Sequence, residues 1–156
     1  LLIFGVISEV PFDMFTTASF FNMNWNNVMF TLAFVLITIW IIDILKKRMQ
    51  KLPKTLWYFA SFIIVIIMCI AAMYLSLDYD HHAILIGYFF YLFHDVPLLA
   101  IPFGYASMYT QPWALLGFGL TLTYNGERGK QNKMLNYWFY PAHLLILGTL
   151  RLCLGI

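Results

Sequence analysis

The sequence predicts an all-α fold, a polytopic transmembrane helix bundle with short, broken helices. Three observations carry that prediction. Of 156 residues, 62% are apolar or aromatic and only 10% are charged, against about a quarter charged in a soluble domain. No charge falls between Asp13 and Asp43, between Lys54 and Asp78, or between Asp95 and Glu127. Uncharged apolar runs of about 18 residues or more read as membrane helices, and prolines and glycines interrupt the later ones. The mean hydropathy of +0.79 agrees. A soluble enzyme, a disordered regulator and a secreted disulfide scaffold are excluded, and a net charge of +2 argues against a nucleic-acid binder.

Residues 1–156 read as one bundle. The chain opens Leu1-Leu2-Ile3-Phe4-Gly5-Val6-Ile7-Ser8, without the basic start of a secretory signal. It reads as a helix cut mid-span, with an N-terminal segment expected before it. This partial helix, residues 1–8, is expected to end before Pro11, because proline removes a ladder hydrogen bond. Residues 12–27, rich in Asn and Phe, follow as a loop. Full spans are expected over 28–45 and 56–77, separated by Lys46, Lys47, Arg48, Lys51, Pro53 and Lys54. Asp95-Val96-Pro97 and Pro102 break the next region into two short helices, 83–94 and 96–108. A Gly-rich segment, 113–124, comes next, then a polar loop to Lys133 and a last span, 137–156. The positive-inside rule puts the Lys46–Lys54 loop in the cytoplasm. With the two short helices, the Glu127–Lys133 loop returns to the same side. No internal repeat is visible.

Ionisable groups within apolar segments are functional suspects, because burying them in lipid is costly. Glu9 and Asp13 flank the proline-broken turn, where two carboxylates can bind a cation, take a proton or orient a base; hydrated loop acids are the plain alternative. His94-Asp95 lies at a chain break, with Asp95 read first as a cap for the helix starting at Val96-Pro97. His81-His82, beside Asp78 and Asp80, reads as an exposed loop rather than a metal pair, because adjacent histidines on a helix point apart and no third ligand follows. No metal site is expected. Asp43 and Lys47 are four apart and suit an interfacial ion pair. Cys69 and Cys153 read as buried packing residues.

The last third is richest. Tyr124-Asn125-Gly126-Glu127-Arg128-Gly129 is a tight turn with an acid and a guanidinium; with Lys130 or Lys133 it suits a phosphate group or an ordinary topogenic loop. His143, Leu147 and Arg151 recur at helical spacing with Tyr140 on the same side, and are expected to face the interior. His143 is either a proton carrier or a structural histidine bonded to a carbonyl. Tyr137, Trp138, Phe139 and Tyr140 suit an aromatic belt.

Three stretches together resemble the TraX family of membrane proteins: Ile7-Ser8-Glu9-Val10-Pro11-Phe12-Asp13, Tyr124-Asn125-Gly126-Glu127-Arg128-Gly129, and Phe139-Tyr140-Pro141-Ala142-His143-Leu144-Leu145. Their order and separation match as well, over essentially the whole chain. The resemblance implies a multi-pass acetyltransferase of the bacterial cytoplasmic membrane, related to the membrane acyltransferases that acetylate sugars. It implies acetyl-CoA as donor and an acceptor such as a pilin-like amino terminus or a glycan, among membrane lipid. Glu9, Asp13, Asn125, Glu127, Arg128, Pro141 and His143 are the family-patterned positions. We read His143, Glu9 and Asp13 as the catalytic set, and Asn125, Glu127, Arg128 and Lys130 as the donor-binding set. The Asp-His pair and the Arg-Pro stretch that open the family pattern are absent from this sequence. From the residues alone, a small transporter or a non-catalytic membrane subunit stays open beside the enzyme.

Overall fold

The computed structural model describes residues 1–22, 24–127 and 129–155. It is all-helical among those residues, with seven helices: α1 (Leu2–Thr17), α2 (Val28–Arg48), α3 (Lys54–Tyr74), α4 (Asp80–Leu92), α5 (Pro97–Ser107), α6 (Ala114–Thr121) and α7 (Lys133–Leu154). Two of them, α2 and α3, are long and apolar enough to cross a membrane. The helices fall into two compact units. The first comprises the described residues of Leu1–Ala33, Leu75–Asp78 and Arg128–Ile156; the second comprises Phe34–Tyr74 and Tyr79–Glu127.

The first unit is organised by α1 against α7. Phe4 stacks on Tyr137 with ring centroids 5.1 Å apart and meets Trp138 edge-on at 5.5 Å. About three turns further along both helices, Gly148 lies against Met14 and Phe15. Both chains ascend together, so α1 and α7 run parallel. The expectation that the first helix stops before Pro11 is overturned: α1 continues to Thr17 with Pro11 inside it and buried. Proline removes one hydrogen bond and costs about 3 kcal/mol in a helix interior. Met14 and Phe15 recover it, because they can reach α7 only if the helix persists beyond the proline. Ala18, in the left-handed region at φ 54°, ends α1.

At its other contact, α7 begins earlier than the expected Tyr137. The Asn132 carboxamide caps it, accepting from the N–H groups of Met134 and Leu135 at 3.0 and 3.4 Å, so Lys133 is helical rather than part of the loop. The stripe that α7 buries is Pro141, Leu144 and Gly148. His143 is half-buried and Leu147 is 42% exposed, so the interior face lies one position away from the expected His143–Leu147–Arg151 stripe. The reason is the close approach at Gly148, which puts the smallest residue, not the polar ones, at the seam. A short parallel bridge pairs Asn26 with Leu77, through Asn26 N–H to Ser76 O at 3.0 Å and Asp78 N–H to Asn26 O at 3.1 Å.

In the second unit, α4 packs on α3 and α5, and α5 on α6. The buried hydroxyls of Tyr88 and Ser61 meet at 3.1 Å across α3 and α4. Phe103 lies between Phe89 and Phe93, at 5.3 and 5.4 Å. Gly87 admits Val35, whose Cγ1 would stand 2.4 Å from an added Cβ, so α2 meets α4 there without room for any larger residue.

Other expectations need correction here. Asp95 does not cap α5; the N-cap is Val96, and no side chain bonds the helix start. Asp95 pairs instead with His94, Nε2 to Oδ1 at 2.9 Å, because the bend at residues 93–95 removes the helical geometry that would hold them apart. His81 and His82 are half-buried at the start of α4, with ring centroids 4.1 Å apart rather than splayed in a loop. Nδ1 of His82 bonds the Ser107 carbonyl, which draws that ring inward. Cys69 is half-buried, whereas Cys153 is exposed, since it falls outside the stripe that α7 buries.

The two kinds of glycine separate in a direct test. Gly148→Ala places a Cβ 2.8 Å from Met14 Cβ and 3.1 Å from the Phe15 backbone nitrogen, and overpacking of this kind costs about 1–3 kcal/mol. Gly117→Ala and Gly119→Ala meet nothing within 4 Å and gain helix propensity, up to about 1 kcal/mol. Thermal unfolding of the three variants in one detergent is expected to show a lowered midpoint for the first and an unchanged or raised midpoint for the others.

Candidate functional site

The site begins with a capping residue. Asn27 precedes the apolar run of α2, a position that favours Asn because its side-chain oxygen accepts from a free N–H of the first turn. Asn27 Oδ1 accepts from Met29 N–H at 3.0 Å. Its two amide hydrogens go elsewhere: one to the Gly5 carbonyl at 2.8 Å, the other to Glu9 Oε2. The side chain is fully buried, and its acceptor and both donors are used. One carboxamide thus caps α2, holds α1 and orients a carboxylate.

Glu9, half-buried, lines a cleft of about 560 Å³ with Val6, Val10, Phe21, Asn22, Asn26 and Phe30. One turn further along α1, Asp13 is 1% exposed. Its Oδ2 accepts from the Asn22 backbone N–H at 2.7 Å, whereas Oδ1 is buried without a partner. A buried acceptor left unpaired costs about 1–3 kcal/mol, more if charged. Asn22 is thereby tied to Asp13, and the Asn26 amide donates to the Leu75 carbonyl at 2.6 Å. The cleft wall is built by polar contacts from an otherwise apolar chain.

His143, on α7, hydrogen-bonds through Nδ1 to the Phe139 carbonyl at 2.9 Å. A neutral imidazole that donates from Nδ1 keeps its basic lone pair on Nε2. Phe139 stacks on the ring at 5.0 Å, and Tyr140 meets it edge-on at 5.6 Å. The structure therefore shows the carbonyl bond of the structural reading. Glu9 and Asp13 share one helix face region, but among the described residues His143 makes no hydrogen bond or ion pair with either, nor does it line the Glu9 cleft. Arg151, further along α7, donates to the Phe15 carbonyl at 2.5 Å, tying the end of α7 to the end of α1.

Of the expected donor-binding set, Asn125, Glu127 and Lys130 are exposed. Asn125 Oδ1 accepts from Glu127 N–H at 3.0 Å, and Gly126 takes φ 81°, a left-handed turn suited to glycine. Asn125 and Glu127 belong to the second unit and Lys130 to the first. Arg128 lies outside the described residues. Asp43 pairs with Lys47 at 2.7 Å, and Tyr91 donates to its other oxygen at 3.3 Å. Among the described residues, no three His, Cys, Asp or Glu side chains gather where they could hold a metal ion.

Asn27 is the residue that motif reading passed over. An Asn directly before an apolar run is itself a helix-start signal; its reach to Gly5 and Glu9 is not encoded locally. Asn27→Ala removes a cap worth about 1 kcal/mol and the hydrogen bonds to the Gly5 carbonyl and Glu9, each worth about 1 kcal/mol, so a clear loss of thermal stability is expected. Asn27→Asp keeps the cap oxygen but sets a second carboxylate against Glu9. Its deficit relative to the parent is expected to be greater at pH 7, where both acids ionise, than near pH 4; equal deficits at both would refute the Glu9 contact.

A model of the family described as TraX protein matches residues 1–151. No curated protein and no solved structure matches the chain. With nearly its whole length covered, and with Glu9, Asp13 and His143 inside the matched region, the chain belongs to the TraX family.

Proposed function

We propose that this protein is a multi-pass membrane acetyltransferase that moves an acetyl group from acetyl-CoA to an amine or hydroxyl acceptor, with an amino terminus of pilin type as the favoured acceptor class. The observation that carries the reading, beside family membership, is the Glu9 carboxylate held by Asn27 at the mouth of a cleft, with the buried Asp13 one turn away. An acceptor amine arrives protonated, and a carboxylate in an open apolar cleft is suited to binding the ammonium and taking its proton. Asp13 holds the wall through Asn22 and keeps Glu9 in an acidic setting.

The nitrogen then attacks the thioester carbonyl. A C–N bond forms, the C–S bond breaks, and coenzyme A leaves as thiolate. The proton lost by the nitrogen returns to the sulfur. His143, with Nε2 basic, is the second group in this reading able to carry that proton. Arg128 and Lys130 serve the phosphates of coenzyme A, for which guanidinium and ammonium donors are suited. In this topology the Lys46–Lys54 and Glu127–Lys133 loops share the cytoplasmic side, where acetyl-CoA is available.

The test uses native membranes carrying the chain, labelled acetyl-CoA and a peptide amine. Glu9→Gln and His143→Gln are each expected to lower kcat by about 10²–10⁴, the usual range for a lost acid–base group, with donor binding retained. Arg128→Ala with Lys130→Ala is expected to raise KM for acetyl-CoA by about tenfold or more, the equivalent of one charge-assisted hydrogen bond, with kcat little changed. Wild-type turnover in Glu9→Gln would remove its role. Solute flux without acetyl-CoA consumption would favour a transporter instead.

A further inference from the structure

We propose that the cleft where the end of α2, the start of α3 and the end of α4 meet holds the phosphate of an acidic phospholipid headgroup. This site goes beyond the acetyl-transfer reading and does not depend on it; it rests on α2 and α3 crossing the membrane. The cleft has a volume of about 380 Å³, and Lys46, Lys54, Trp57, Tyr91, His94 and Asp95 are among its lining residues.

The charges there are unequal. Both nearby acids are already engaged: Asp43 by Lys47 at 2.7 Å and Tyr91 at 3.3 Å, and Asp95 by His94 at 2.9 Å. Among the described residues, neither Lys46 nor Lys54 has a carboxylate within ion-pair distance. Lys46 Nζ stands 5.5 Å from the centre of the Trp57 ring and 5.8 Å from that of Tyr91, so two aromatic faces fix an ammonium whose hydrogens have no anionic partner. Trp57 is only 9% exposed, so its ring is a fixed platform beside that ammonium. Two ammonium groups without a carboxylate at ion-pair distance line the cleft, and a phosphate diester supplies acceptor oxygens and one negative charge.

Position selects the source of that phosphate. α2 and α3 are 21 residues each, about 31 Å at helical rise, close to the hydrocarbon thickness of a bilayer of about 30 Å. Lys46 in the last turn of α2 and Lys54 at the first position of α3 therefore stand at headgroup depth. Trp57, Tyr58 and Tyr91 supply the aromatic anchoring found at that depth, and basic pockets between helix ends suit anionic headgroups.

The experiment titrates the full chain, purified in a neutral detergent, with dihexanoyl phosphatidylglycerol, and reads tryptophan fluorescence and thermal midpoint. Dihexanoyl phosphatidylcholine, inorganic phosphate and coenzyme A are run in parallel. Saturable binding of phosphatidylglycerol is expected, about tenfold or more tighter than phosphatidylcholine, with inorganic phosphate competing. Lys46→Ala with Lys54→Ala is expected to weaken it by about tenfold or more, and Trp57→Phe by a smaller factor. Lys46→Arg with Lys54→Arg keeps it, and Lys51→Ala, which removes one charge outside the cleft lining, leaves it unchanged. If the double alanine variant fails to fold, the arginine pair and the two-lipid comparison decide. Equal affinity for both lipids, an equal loss in Lys51→Ala, or tighter occupation by coenzyme A would overturn the assignment.

Discussion

A chain with so few polar side chains must satisfy its buried polar groups internally, and Asn27 is where that demand is concentrated. Its oxygen supplies the start of α2 with an acceptor, and its two amide hydrogens reach α1 at the Gly5 carbonyl and Glu9. Each of these hydrogen bonds is worth only about 1 kcal/mol net, but leaving a buried partner unpaired costs more than making the bond gains. The arrangement is consequently difficult to exchange for another. It sets the start of α2 against α1, and it sets the direction of the Glu9 carboxylate in its cleft.

Packing in the same unit follows a second rule. Where two helix backbones approach closely, dispersion between many atom pairs adds to the burial of apolar surface. Gly148 permits that approach: the backbone at Phe15 and the Cβ of Met14 occupy the space a side chain would fill. Once α1 and α7 are joined there, the energetic penalty of Pro11 inside α1 is absorbed. The aromatic contacts of Phe4 with Tyr137 and Trp138 secure the other end. Carbonyls then become the natural partners of the remaining polar side chains, as for His143 with Phe139 and Arg151 with Phe15.

In the second unit, polar side chains gather near helix ends. Asp43, Lys46, Lys47 and Tyr91 form one connected group, whereas the middle of the unit is held by rings and by the hydroxyl pair of Ser61 and Tyr88. Lys46 illustrates the division: its ammonium stands over the rings of Trp57 and Tyr91. That placement holds an exposed cation beside two rings, with the nearby Asp43 carboxylate ion-paired to Lys47.

Composition and charge spacing determined the helical class, the two long apolar helices and the break at Asp95-Val96-Pro97, because hydropathy and proline chemistry act over a few neighbouring residues. The Asp43–Lys47 pair was legible for the same reason, being one helical turn. Family-patterned Glu9, Asp13 and His143 were visible as residues, but not their surroundings. Only the tertiary structure decided that α1 passes through Pro11, that Gly148 rather than His143 sits on the seam, that His81 and His82 lie ring against ring, and that Asn27 governs Glu9. In each case the deciding partner lies on another segment of the chain. A local signal measures what a residue prefers by itself, whereas these outcomes were set by what a distant segment could reach, fill or leave unpaired.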